Sequence, residues 1–155
     1  MTHLFFYSFA FLGLFVMIVT TGCGPGGLTV QPVTGMVIHN GEPVEGALVT
    51  FVSTDTLGHG AFGITAADGT YFLETHAAAR PGAVIGEYNV FVTKTIAVDM
   101  HGNELLCDSQ PLGPLGRPGV RHLIPVKYSG MDGAPPILSA TVQRGRNVID
   151  FDLQD

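Results

Sequence analysis

Short stretches of alternating apolar and polar residues, separated by tight-turn dipeptides, most constrain the fold of this chain. In residues 47–53, Ala47, Val49 and Phe51 fall on one face of a strand, with Leu48, Thr50 and Val52 on the other. A second stretch, residues 86–95, repeats the pattern with Tyr88, Val90 and Val92 on one face. A period of two residues is typical of a strand that buries one face.

Turn signals separate these stretches from further short strands. Asn40-Gly41, Asp68-Gly69 and residues 144–147 are predicted hairpin turns, since these residue types tolerate the required backbone angles. The 21 glycines and 10 prolines disfavour helices. Further strands are predicted at residues 33–38, 61–65, 70–75, 138–142 and 148–153, with a short edge piece at 125–128. We therefore predict an all-β sandwich of about seven strands, with Phe51, Phe62, Tyr88 and Phe151 as core aromatics.

The first 22 residues predict a signal segment that precedes the sandwich. Residues 4–19 are uncharged and almost wholly apolar, and small residues then lead to Cys23. An apolar stretch that ends in small residues before a cysteine is typical of a bacterial lipoprotein signal. We expect lipid on Cys23 to hold the protein to a membrane outside the cytoplasm.

Two alternatives to this lipoprotein signal stay open, namely an uncleaved membrane anchor and ordinary secretion. Residues 1–41 contain no Lys, Arg, Asp or Glu, so the segment lacks the basic start of most signals, and Thr20 stands where leucine is typical. About 20 apolar residues can cross a bilayer. All three interpretations predict an extracytoplasmic domain.

The rest of the chain predicts one domain on a short tether. Residues 23–32 are the expected tether, and residues 33–155 the domain, with an irregular Pro/Gly-rich insertion at 96–122. The net charge of −6 argues against nucleic acid as a partner, because phosphate binding needs clustered Lys and Arg.

Several motifs, in preserved order, resemble carboxypeptidase regulatory-like domains, which belong to the transthyretin-like, prealbumin-type sandwiches. They are residues 35–51 (GMVIHNGEPVEGALVTF), 65–71 (TAADGTY), 86–90 (GEYNV), 124–129 (IPVKYS) and 147–153 (NVIDFDL). The last two are similar to a subgroup found in small bacterial surface lipoproteins. The resemblance implies a fold and no chemistry, since such domains accompany catalytic domains in larger enzymes. The transthyretin-like hydrolases of purine breakdown end in a Tyr-Arg-Gly-Ser element that this chain lacks.

Few residues are candidates for chemistry. His101, Cys107 and His122 are of types that bind Zn or Cu, but their spacing is loose, and we expect no metal and no cofactor. Asp150 and Asp152 share one face of a strand, which we expect to be solvated.

The sequence therefore favours a non-enzymatic, lipid-anchored module that binds envelope proteins as an adhesion or scaffold domain, with residues 96–122 as the expected contact surface. The alternative is a module that binds carbohydrate or another small ligand. Sugar rings stack on exposed aromatic side chains, and Tyr71 and Tyr128 are the candidates for that role.

Overall fold

The computed structural model describes residues 29–75, 80–99, 101–104, 119–131, 133 and 135–155. Across these residues the chain forms short strands and one 3-10 turn at Val126–Tyr128. The strands are β1 (Val30–Gln31), β2 (Val33–His39), β3 (Glu42–Pro43), β4 (Leu48–Ser53), β5 (Ala61–Ile64), β6 (Thr70–Phe72), β7 (Glu74–Thr75), β8 (Arg80–Pro81), β9 (Ala83–Val84), β10 (Gly86–Thr93), β11 (Thr95–Val98), β12 (Gly119–His122), β13 (Leu138–Val142), β14 (Asn147–Val148) and β15 (Phe151–Leu153).

Two sheets make up most of the domain. The larger is antiparallel, with the order β13-β10-β4-β5-β7-β8. The smaller is centred on β2, which pairs in parallel with β14 and β15 on one side and antiparallel with β3 and β6 on the other. Two further pairs, β1 with β9 and β11 with β12, are two-stranded. The protein is thus nearly all β, and this arrangement is consistent with a sandwich.

The core lies where side chains of the two sheets meet. Phe51 on β4 contacts Phe151 on β15, with 6.1 Å between ring centroids. Tyr71 on β6 stacks on Phe151, with 6.4 Å between ring centroids, and the ring centroid of Tyr88 on β10 lies 5.6 Å from that of Phe51. Aromatic pairs at these separations add to the stabilisation that burial itself provides.

The predicted alternation is confirmed in β4, β10 and β15. The apolar faces of these strands are buried, comprising Ala47 just before β4 with Val49 and Phe51, then Tyr88, Val90 and Val92, then Phe151 and Leu153. The residues between them point outward, including Asp150 and Asp152. The Asn40-Gly41 turn is also confirmed, because both residues have positive φ, 52° and 85°.

The stretch that follows the Asp68-Gly69 turn differs from a simple hairpin. β5 and β7 pair only through Ala61 with Thr75 and Phe62 with Glu74, while β6, between them, pairs with β2. The chain therefore changes sheets within residues 70–75. Phe62 is half-buried on the outer face of the larger sheet and lies outside the core, contrary to its predicted role.

The turn at 144–147 is not a hairpin turn. β13 before it pairs with β10 in the larger sheet, and β14 after it pairs with β2 in the smaller one. The turn is instead held by Asn147, whose side chain accepts from the Gln143 N–H at 2.9 Å and donates to the Gln143 carbonyl at 3.0 Å. Period-two alternation defines the faces of a strand and leaves its neighbours undefined.

Three other boundaries also differ from the sequence prediction. Residues 30–31 of the expected tether form β1, and the insertion predicted to be irregular at 96–122 contains β12 and most of β11. The predicted edge piece at 125–128 contains a 3-10 turn that buries Tyr128.

No helix in the described part of the chain is both long and apolar enough to cross a bilayer. The predicted signal segment lies outside the described residues.

Candidate functional site

A shallow groove of about 370 Å³ lies on the outer face of the smaller sheet. Its floor is β2, and β6 and β14 form its sides. It is lined by Thr34, Gly35, Met36, Thr70, Tyr71, Phe72, Arg146, Val148 and Asp150.

Strand register builds the groove as two rows of side chains. In the first row Phe72, Thr34 and Val148 are neighbours on β6, β2 and β14. In the second row Thr70 lies opposite Met36. Because β2 is paired on both sides, the groove presents side chains to a ligand and leaves few main-chain groups free.

The apolar members of these rows are unusually exposed. Phe72 is 70% exposed, Val148 63% and Met36 37%. Apolar side chains gathered on one face of a sheet mark an interaction surface more often than single exposed ones do. Phe72 is the natural centre of such a surface, since an aromatic ring offers the largest contact area.

Charged groups flank the exposed apolar side chains of the groove. Arg146 lies in the exposed turn before β14 and has no hydrogen-bond or ion-pair partner among the described residues. Asp150 lies just after β14, and one of its carboxylate oxygens accepts from the Met36 main-chain N–H at 2.8 Å. The groove thus combines a free donor group, an acceptor group and an aromatic face.

A local opening of the parallel ladder shapes one side of the groove. In a regular parallel pair the Met36 N–H would donate to the carbonyl of Ile149. Here it donates to Asp150, and the Ile149 carbonyl accepts from the Tyr71 hydroxyl at 2.7 Å. Two side chains therefore replace one ladder bond without any shift of register.

Gly35 makes this arrangement sterically possible. A Cβ at residue 35 would lie 1.7 Å from the Ile149 carbonyl oxygen and 2.8 Å from the ring of Tyr71. Only glycine permits so close an approach of the two backbones. Burial raises the pKa of Tyr71 far above its ordinary value, and the nearby charge of Asp150 adds to the shift. The Tyr71 hydroxyl therefore stays protonated as a donor.

Both tyrosines predicted as stacking platforms are buried. Tyr71 is 0% exposed, although it is one of the residues that border the groove. Tyr128 is 7% exposed, and its hydroxyl donates to the Gln154 carbonyl at 2.9 Å. Neither ring offers a free face to a sugar, because both serve the core and hold neighbouring main chain in place.

The three candidate metal ligands do not form a cluster in the described part of the chain. His101 lies in the turn after β11, and its side chain is 80% exposed. His122 pairs with Thr95 at the opposite end of the β11–β12 ladder, where its Nδ1 is buried and has no partner among the described residues. Cys107 lies outside the described residues. Within the described part of the chain no three His, Cys, Asp or Glu side chains are placed to hold a metal ion.

Sequence reasoning missed Phe72, although the signal was present. Tyr71 and Phe72 are consecutive in β6, so one must face the core and the other the solvent. Tyr71, Leu73 and Thr75 are the buried members of residues 70–75, and the residues between them, Phe72 included, face outward, as the local alternation indicates. What the local pattern does not show is that Val148 and Met36 lie on the same sheet surface as Phe72.

Comparison with known proteins identifies no relative: no protein-family model, no curated protein and no solved structure matches this chain. Cys23, the predicted lipidation site, lies outside the described residues.

Proposed function

We propose that this protein is a lipid-anchored, extracytoplasmic binding module of the carboxypeptidase regulatory-like, transthyretin-like type. It is non-enzymatic and binds other envelope proteins as an adhesion or scaffold domain. The observation that carries the proposal is the group of exposed apolar side chains, Phe72, Val148 and Met36, on a solvent-facing sheet surface. This group has no folding role that requires its exposure, and it fits a contact surface for a partner.

The anchoring part of the proposal rests on Cys23 and the apolar segment before it. Cells that express the chain are grown with a labelled fatty acid, and the protein is purified and assayed for label. We expect label in the wild type and in Cys107→Ala, and none in Cys23→Ala. Equal label in Cys23→Ala and wild type would rule out lipid on this cysteine.

The binding part is tested with a photo-crosslinking amino acid at position 72, used in living cells. Leu57, which is 87% exposed and does not line the groove, provides the matched control position. We expect a discrete protein adduct from position 72 that Arg146→Glu weakens and that position 57 does not give. Identical adducts from both positions, or none from position 72, would contradict a partner surface at the groove.

A second candidate function is the binding of neutral carbohydrate or a similar polyhydroxylated ligand. The specific observation is that the exposed Phe72 ring lines the same groove as Arg146 and Asp150. Each sugar hydroxyl both donates and accepts, so it can pair with a guanidinium on one side and a carboxylate on the other. The groove volume of about 370 Å³ is within the range of small-ligand sites.

Calorimetric titration with a panel of oligosaccharides tests this second function. We expect binding in the millimolar range or tighter, lost in Phe72→Ala and retained in Leu57→Ala. No heat for any oligosaccharide at millimolar concentration would exclude carbohydrate while leaving the protein-binding proposal intact.

A further inference from the structure

The two edges of the larger sheet differ in how far they are protected. One edge is β8, a strand of two residues that consists of an arginine and a proline. The other is β13, five residues long, with the uncharged sequence Leu138-Ser-Ala-Thr-Val142. Short strands, proline and charge are the usual means by which natural edges avoid pairing with another chain. β13 has none of them.

The hydrogen-bond pattern shows which main-chain groups of β13 point outward. The Thr54 N–H donates to the Glu87 carbonyl at 3.0 Å, so the main-chain N–H and carbonyl of Glu87 point towards β4. These main-chain groups point to alternate sides of a strand from one residue to the next, so those of Tyr88 on β10 point towards Ala140, its partner on β13. It follows that the main-chain groups of Ser139 and Thr141 point away from the sheet.

These outward groups are available to a partner. Ser139 and Thr141 are exposed, and their outward main-chain groups have no partner among the described residues. The free stretch ends at Gln143, whose N–H and carbonyl are both occupied by the Asn147 side chain. At the other end Pro136 lacks an N–H. The stretch of β13 that can pair with another strand is therefore bounded at both ends.

β13 is also self-complementary in its side chains. About Ala140 as centre, hydroxyl residues stand at 139 and 141 and aliphatic residues at 138 and 142. An antiparallel copy in this register places Ser139 opposite Thr141 and Leu138 opposite Val142. A two-fold symmetric interface requires this kind of match, since each residue must suit its symmetry-related neighbour.

We propose that β13 pairs antiparallel with β13 of a second copy of this chain, about a two-fold axis at Ala140. Ser139 and Thr141 of the two copies form the hydrogen-bonded pairs, each with two main-chain bonds. Leu138, Ala140 and Val142, which belong to the core or pack against it, continue the apolar inner face across the axis. The larger sheets of the two copies become one continuous sheet. This pairing does not depend on the lipid or on the groove.

Disulfide trapping tests the register directly. The two copies of residue 140 form a non-hydrogen-bonded pair, with Cα atoms about 4.5 Å apart, which a disulfide can span. In a full-length chain with Cys23→Ser and Cys107→Ser, purified in detergent micelles, we expect Ala140→Cys to give a covalent dimer on mild oxidation. The control Gln143→Cys faces residue 137 of the copy and should give at least tenfold less.

A substitution of the free edge tests the hydrogen bonds. Thr141→Pro removes a donor that points away from β10, so the internal ladder is kept. We expect sedimentation of the full chain in detergent to show a dimer whose dissociation constant rises at least tenfold in Thr141→Pro. Thr141→Lys, which adds a charge without changing the backbone, should act likewise, and Thr56→Lys in an exposed loop should have no effect.

A monomeric wild type at about 100 µM would overturn the proposal, as would equal cross-linking at positions 140 and 143. Dimers that persist unchanged in Thr141→Pro and Thr141→Lys would also overturn it, because they would show that another surface mediates association.

Discussion

The two sheets of this protein are held together in different ways. In the larger sheet β4, β5, β10 and β13 pair through regular antiparallel ladders. In the smaller sheet β2 relies on side chains where its ladder opens, namely Asp150 for the Met36 N–H and Tyr71 for the Ile149 carbonyl. The larger sheet therefore tolerates many residues at its exposed positions, whereas the smaller depends on a few particular ones. The candidate groove lies on the smaller sheet, where particular side chains matter most.

The largest expected effect is at Gly35. We expect Gly35→Ala to lower the free energy of unfolding by about 3 kcal/mol or more, since the new methyl group would collide with the Ile149 carbonyl. Gly41→Ala is the control, because its Cβ meets nothing within 4 Å and only its positive φ is strained, at a cost of about 1 kcal/mol. Equal losses in denaturant unfolding would show that the close approach at Gly35 is not essential.

The next effect concerns the Tyr71 hydroxyl. Tyr71→Phe keeps the buried ring but leaves the Ile149 carbonyl without its donor, which should cost about 1.5 kcal/mol. If Tyr71→Phe unfolded at the same denaturant concentration as the wild type, the Tyr71 hydroxyl would not be needed, and the Ile149 carbonyl would be satisfied by another donor.

Asp150 and Asp152 offer a matched pair on one strand face. Asp150→Ala should destabilise by about 1 kcal/mol because the Met36 N–H loses its acceptor in a partly solvated position. Among the described residues the Asp152 side chain accepts only from the Gln154 side chain, so Asp152→Ala should change stability by less than about 0.5 kcal/mol. Asp150→Asn, which keeps an acceptor oxygen, should recover most of the loss. If the two alanine variants were equally stable, Asp150 would be a surface residue without a role in the ladder.

The smallest effect is a dependence on pH at the turn before β6. The Thr70 hydroxyl and N–H donate to Asp68, at 2.6 and 3.0 Å, and hold the pKa of that carboxyl below its ordinary value. Because the folded pKa is the lower one, the stabilisation is present above about pH 4 and lost as pH falls through the folded value. Thr70→Val should therefore be less stable than wild type at pH 7, with the difference shrinking in acid.

NMR titration of Asp68 provides the direct measurement for this last prediction. Its pKa should move upward, towards the ordinary aspartate value, in Thr70→Val, and Thr141→Val should leave it unchanged. An Asp68 pKa that is the same in Thr70→Val and wild type would remove the hydroxyl as the cause.

Local pattern was sufficient for the faces of the strands. The alternation of Ala47, Val49 and Phe51, and of Tyr88, Val90 and Val92, predicted which side chains are buried. The Asn40-Gly41 turn was predictable for the same reason, since the conformation of two residues decides it. These properties depend on neighbours within a few residues, and the sequence specifies them directly.

Pairing between strands was beyond the sequence. The turn at 144–147 could join two strands of one sheet or of two, and the packing of the whole core makes the choice. The position of Phe72 near Val148 and Met36 was undecided in the same way, because it follows from the pairing of β6 and β14 with β2. The candidate groove therefore exists only in the folded chain.

By itself, the sequence determined an all-β chain with defined strand faces and tight turns, because period-two burial and glycine-containing turns are local properties. Tertiary structure alone decided the sheet order, the opened ladder beside β2 and the free edge of β13. Each of these depends on contacts between residues far apart in the chain, and no local pattern encodes which distant strand will supply the partner.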